Sequence, residues 1–195
     1  MKRNLFHSAL VIMTILFIGS CKKEETTTPP SPESAPISTA LLINSATTVI
    51  ATGAGTYEYG CKFKVTKNGK ITKLASKMPE AGSYRVTLWE IADSVTHTVV
   101  GQATLTQAAG TLTFGAITPV VVTTGKTYQI TIWSDVAWYD IRPTAGGNFS
   151  YPITQGSISI TGYTWTGAPQ VPITYPTNVS LNYVAGLADF EFQAD

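Results

Sequence analysis

The run "WYDIR" places Trp138, Tyr139, Asp140 and Arg142 together, and Trp165 follows in "YTWTG". Aromatic rings offer an apolar face to a pyranose ring, while a carboxylate and a guanidinium hydrogen-bond its hydroxyls. These residues are therefore a candidate ligand-binding site for a polyol. The competing reading is an internal Arg142–Asp140 pair with aromatics packed under a long loop. Catalysis has less to work with. His97, in "SVTHTVV", is the sole histidine after His7, and no nucleophile motif such as G-x-S-x-G stands near it. A zinc site needs several His or Cys ligands, and beyond residue 21 only His97 and Cys61 are present. Glu80, Glu90, Asp135, Asp140 and Asp189 could supply two carboxylates for glycoside hydrolysis, but no spacing singles out a pair. No acidic loop of the calcium-binding type occurs. The expectation is a non-catalytic protein without metal or cofactor.

The most specific chemistry lies at the start of the chain. Lys2 and Arg3 precede a largely apolar run to Ile18, then Gly19, Ser20 and Cys21. A charged start, a short apolar core and small residues are the layout of a secretory signal. A membrane-spanning helix wants about 20 apolar residues, whereas only Ala9 to Gly19 is continuously apolar, apart from Thr14. The tetrad "IGSC" resembles a bacterial lipobox, with Ile18 in place of the commoner leucine. The resemblance implies that Cys21 becomes the first mature residue and carries the lipid. More than one acyl chain is needed for stable anchoring, which a diacyl or triacyl cysteine provides. "KKEETTTPPSPESAP" then reads as a tether, too poor in apolar residues to fold and extended by its prolines. Charges directly after the cysteine are similar to the surface-export signal of Bacteroidetes-type lipoproteins, which implies an outer-membrane location facing the cell surface. The expected organisation is a signal peptide over 1–20, a lipidated tether over 21–38 and a folded domain over 39–195.

Residues 39–195 suffice for one compact domain and fall short of two. Nine Lys and Arg balance nine Asp and Glu there, and this neutrality argues against nucleic acid, which needs a basic footprint. Lys62, Lys64, Lys67, Lys70, Lys73 and Lys77 nonetheless fall between Glu58 and Glu80 without one acid. That pattern suits a sheet edge protected from pairing, or contact with anionic glycans or lipid head groups. With Cys21 lipidated, Cys61 has no partner and reads as a small buried residue.

The elements that must position these residues are strands. Val, Ile, Thr and aromatic runs separated by turn residues at roughly ten-residue spacing predict an all-β antiparallel sandwich of the jelly-roll kind, with no amphipathic helix of normal length after Pro36. "CKFKVTKNGKITKLAS" predicts a hairpin with Asn68-Gly69 in a type I′ turn. Further strands are expected in "YRVTLWEI", "TVVGQATLT", "TLTFGAITPVVVT", "TYQITIW" and "ADFEF". Alternation puts Tyr84, Val86 and Leu88 on one face, with Tyr128, Ile130 and Ile132. Arg85, Thr87 and Trp89, with Gln129, Thr131 and Trp133, take the opposite face. There the two tryptophans are either a sugar-stacking shelf or a second small core covered by loops.

From Gly60 to the C-terminus, "GCKF", "GKITKL", "YRVTLWE", "VVGQATLT", "ITPVVVTTGKTYQITI" and "DFEF" occur in an order that resembles a bacterial extracellular β-sandwich family known as domain of unknown function 4082. The resemblance implies a jelly roll like those of carbohydrate-binding modules, found beside glycan-active enzymes. An aromatic after the second strand's "KL" is replaced by "ASKMP", and the tryptophan after "AAG" by Thr111 and Leu112, so no binding residues carry over. Two function classes follow: a tethered module that binds glycan, or a lipoprotein whose loops contact another surface protein.

Overall fold

The computed structural model describes residues 31–43, 46–51 and 55–195, with side chains described for 31–42 and 55–195. The signal segment, Cys21 and most of the tether lie outside the described residues. The fold is an all-β sandwich of antiparallel sheets with one short helix. One sheet runs β1 (Glu33–Ser34), β14 (Leu187–Ala194), β4 (Gly69–Lys77), β7 (Thr113–Val122). The seven-stranded sheet opposite runs β10 (Ile153–Gln155), β11 (Ile158–Gly167), β3 (Tyr57–Val65), β8 (Thr127–Ser134), β5 (Gly82–Ile91), β6 (His97–Gln107), with β12 (Asn178–Ser180) also paired to β11. A small third sheet orders β13 (Val184–Ala185), β9 (Trp138–Pro143) and β2 (Ala46–Ala51).

Alternation places the core as expected. Tyr84, Val86, Leu88, Tyr128, Ile130 and Ile132 are buried between the sheets with Phe63, Leu74, Phe190 and Phe192. Phe63 meets Phe190 at 4.7 Å between ring centroids. Each such side chain contributes about 1.5–3 kcal/mol when fully buried. Cys61 is a free, buried thiol in this core, and burial pushes its pKa up, away from the reactive thiolate.

The expected Asn68-Gly69 hairpin does not form. β3 pairs with β8 and β11, whereas β4 pairs with β7 and β14, so residues 66–68 cross from one sheet to the other. Gly69 does not have the positive φ that a type I′ turn requires. Its role is close approach: a Cβ there would lie 2.3 Å from the Gln193 carbonyl and 2.7 Å from the Phe192 ring. Asn68 Oδ1 accepts the Thr124 N–H at 2.9 Å, and the Asn68 carbonyl accepts that of Asp195 at 3.0 Å. Both strands are interior to their sheets, so the lysines do not guard an edge. The crossing divides them between two sheets, with Lys73 held by Glu191 at 2.9 Å.

Residues 33–38, expected in the tether, are instead part of the fold. Glu33 and Ser34 pair with Phe192 and Glu191, and α1 (Pro36–Ile43) follows. Pro36 suits the first helical position, but Ala35 before it has no side-chain oxygen to cap the free N–H groups. Asp189 supplies that cap from β14: its carboxylate accepts the Ile37 and Ser38 N–H groups at 3.1 and 2.7 Å. Sequence alternation turns Asp189 away from the Phe190 face, and it is fully buried beneath the helix. Burial pushes its pKa up to about 6, against the lowering effect of those hydrogen bonds.

Candidate functional site

Two aromatic pairs in the sequence, Tyr57/Tyr59 in "YEY" and Tyr163/Trp165 in "YTW", are each two residues apart on a strand and so share a face. Antiparallel pairing of β3 with β11 sets Trp165 opposite Tyr59 and Tyr163 opposite Cys61. All four rings therefore stand at one end of the seven-stranded sheet, on its inner side. β9 brings Trp138 over them, and the chain entering β13 brings Tyr183 and Ala185. The result is a cleft of about 140 Å³ lined by Tyr57, Tyr59, Trp138, Tyr163, Trp165, Tyr183 and Ala185. Tyr57 packs edge-on against both indoles, 5.5 Å from Trp138 and 6.0 Å from Trp165. Gly186 makes this approach possible: it has φ 61°, and a Cβ there would lie 2.2 Å from the Tyr59 ring.

Tyr57, Trp138, Trp165 and Tyr183 are half-buried and form the walls, while Tyr59 and Tyr163 are buried beneath them. Burial raises the pKa of the Tyr163 phenol far above its ordinary value. Its hydroxyl proton has no acceptor among the described residues.

The five residues singled out by sequence separate in space. Trp138 and Trp165 join the cleft. Tyr139 faces the other side of β9, with Lys77 Nζ 5.8 Å from its ring centroid, in a separate apolar groove against α1. Asp140 and Arg142 pair with each other: Arg142 Nε and a terminal N–H both donate to Asp140 Oδ2, at 3.0 and 2.6 Å. The pair lies on the Trp138 side of its strand by alternation, and Asp140 is directly opposite Ala185 of the cleft. Asp140 Oδ1 is buried with no donor among the described residues.

Trp89 and Trp133 stand on adjacent strands of one sheet, but they form no open shelf. Residues 168–177 cover them: Trp133 Nε1 donates to the Ala168 carbonyl at 3.1 Å, and Tyr175 packs on Trp89 at 5.4 Å. Arg85 donates to the Gln170 carbonyl and to Glu58, the latter at 2.6 Å. Thr131 also donates to Glu58, at 2.5 Å, and accepts from Trp89 Nε1 at 3.0 Å. Burial raises the Glu58 pKa despite these partners. These residues are a buried polar layer with two tryptophans, the covered alternative of the two the sequence allowed.

His97 stacks on Tyr175 with ring centroids 3.5 Å apart. Among the described residues no three His, Cys, Asp or Glu side chains gather as a metal site. Sequence reasoning missed Tyr57, Tyr59 and Tyr183. Alternation in "YEY" carried the first two, whereas Tyr183 joins only through the β13–β9 pairing. Comparison of the chain with protein-family models and with curated proteins finds no match.

Proposed function

We propose that the protein is an outer-membrane lipoprotein, anchored through Cys21, whose β-sandwich is a non-catalytic module that binds carbohydrate. One observation carries the ligand reading: Trp138 and Trp165, from strands distant in sequence, converge on Tyr57 in an open aromatic cleft. Carbohydrate sites pair such rings with a few polar groups, and the Asp140–Arg142 pair on the Trp138 side of β9 supplies them here. The cleft is smaller than the roughly 300 Å³ at which drug-sized pockets begin, so it suits one sugar ring rather than a length of polymer. The lipobox and the neutral domain support a role at a membrane surface rather than on nucleic acid.

The test is a glycan array probed with the full-length chain in a polyoxyethylene detergent, beside the Trp138→Ala, Trp165→Ala double variant. Selective binding is expected from the first and none from the second, with the β-sheet circular dichroism of both unchanged. Equal binding by the folded double variant would remove the site. A protein-interaction role is the second reading, favoured by the apolar groove of about 280 Å³ along α1, with Leu42 68% exposed at its rim. It expects a stoichiometric partner to co-purify from solubilised membranes.

A further inference from the structure

The walls of the open cleft are inclined to one another rather than coplanar. Ring planes are inclined by 70° between Tyr57 and Trp138, 63° between Tyr57 and Trp165, 54° between Tyr59 and Trp138, and 59° between Tyr163 and Tyr183. Coplanar rings make a shelf for the broad face of a sugar. Rings at these angles instead surround a compact group, and an aromatic surround attracts a cation through the negative faces of its π-systems. Among the described residues, no Lys or Arg lines the cleft. Asp140 is paired across β9 and β13 with Ala185, which lines the cleft. Arg142 consumes only Oδ2 of that carboxylate, with its own side chain 56% exposed to solvent, where its charge is screened. Oδ1 is buried and has no donor among the described residues. Both charges of the pair are felt at Tyr183: burial raises its phenol pKa, the Ser180 hydrogen bond lowers it, and Asp140 raises it ahead of the opposing effect of Arg142.

We infer that the cleft binds a saccharide bearing an ammonium group, with the cation enclosed by Tyr57, Trp138, Trp165 and Tyr183 and drawn by the free oxygen of Asp140. This rests on the carbohydrate reading above. The ammonium has two chemical sources, a primary amine on the ring or a quaternary choline substituent, and the probes separate them.

The experiment titrates the full-length chain in polyoxyethylene detergent, following tryptophan fluorescence, with two pairs that differ in charge. One pair is choline and its neutral isostere 3,3-dimethylbutan-1-ol; the other is glucosamine and N-acetylglucosamine. The charged member of at least one pair should bind about tenfold more tightly, the scale of a desolvated cation–π contact. The pair that responds identifies the source. Asp140→Asn should reduce that preference several-fold, read as the ratio of charged to neutral affinity within the responding pair. Equal or tighter binding of both neutral members overturns the inference. If none of the four probes binds while the array shows neutral glycans, the cation falls and the carbohydrate reading stands. If choline binds but the array is blank, the saccharide reading falls and takes this inference with it.

Discussion

Replacing Asp189 by asparagine should flatten the pH dependence of stability between pH 4 and 6. In the native state this carboxyl is fully buried under α1, and burial pushes its pKa from the ordinary 3.8 up to about 6. The folded chain therefore holds a proton that the unfolded chain has released throughout that window. Stability falls as pH rises wherever the native state binds more protons. The sign is thus opposite to that of a salt-bridged acid: Asp189 favours folding below pH 4, loses that contribution as pH climbs to 6, and is constant above. At about 1.4 kcal/mol per pH unit, the loss is about 3 kcal/mol. The assay is urea denaturation of residues 31–195 and of the Asp189→Asn variant at pH 4, 5, 6 and 7. The raised pKa of Glu58 and the lowered pKa of Glu191 act on both proteins and cancel in the difference. Wild type should lose about 3 kcal/mol relative to the variant from pH 4 to pH 6. A difference that is constant, or that grows in favour of wild type with pH, would refute the reasoning. It would mean that the N–H groups of Ile37, Ser38 and Phe190 keep the carboxylate ionised in spite of its burial.

Arg85→Ala leaves the Glu58 carboxylate buried without its partner and should cost about 3–5 kcal/mol by urea denaturation; pairing Arg85→Met with Glu58→Gln should recover most of it. Gly69→Asn tests the crossing between sheets. A type I′ turn would accept asparagine, whereas here the new side chain collides with the Gln193 carbonyl and should cost about 1–3 kcal/mol, read as a lower thermal midpoint.

Period-two patterning made the sandwich legible, because each strand with one core face announces itself: Tyr84, Val86 and Leu88 against Arg85, Thr87 and Trp89. It could not say which strands pair. The Asn68-Gly69 misreading shows why: the same dipeptide serves a tight turn or a close backbone contact, and only the tertiary neighbours Gln193 and Phe192 decide between them. α1 was illegible for a related reason. "PISTALLI" lacks its own cap, and the cap comes from Asp189 at the far end of the chain. The candidate site was half visible. Trp138 and Trp165 were flagged by composition, yet their meeting depends on β3 pairing with β11 and on Gly186 admitting β13, both long-range events. Tyr139 lies apart from Trp138 because neighbours in a strand point to opposite faces, which adjacency in sequence conceals.

The seam between β1 and β14 has a mechanical consequence. The chain enters the fold at Glu33, paired to Phe192 near the C-terminal end of the last strand, and Glu33 also accepts the Ser157 N–H through both carboxylate oxygens, at 3.1 and 2.9 Å. Tension arriving along residues 21–32 would load two residue pairs, that carboxylate grip and the capped helix in series before it reached the core. In the proposed arrangement, anchored at Cys21 and holding a ligand, the chain would feel the pull of flow first at this seam. Peeling it would release slack of a few residues and leave the aromatic cleft, walled by β3, β9 and β11, under no direct load.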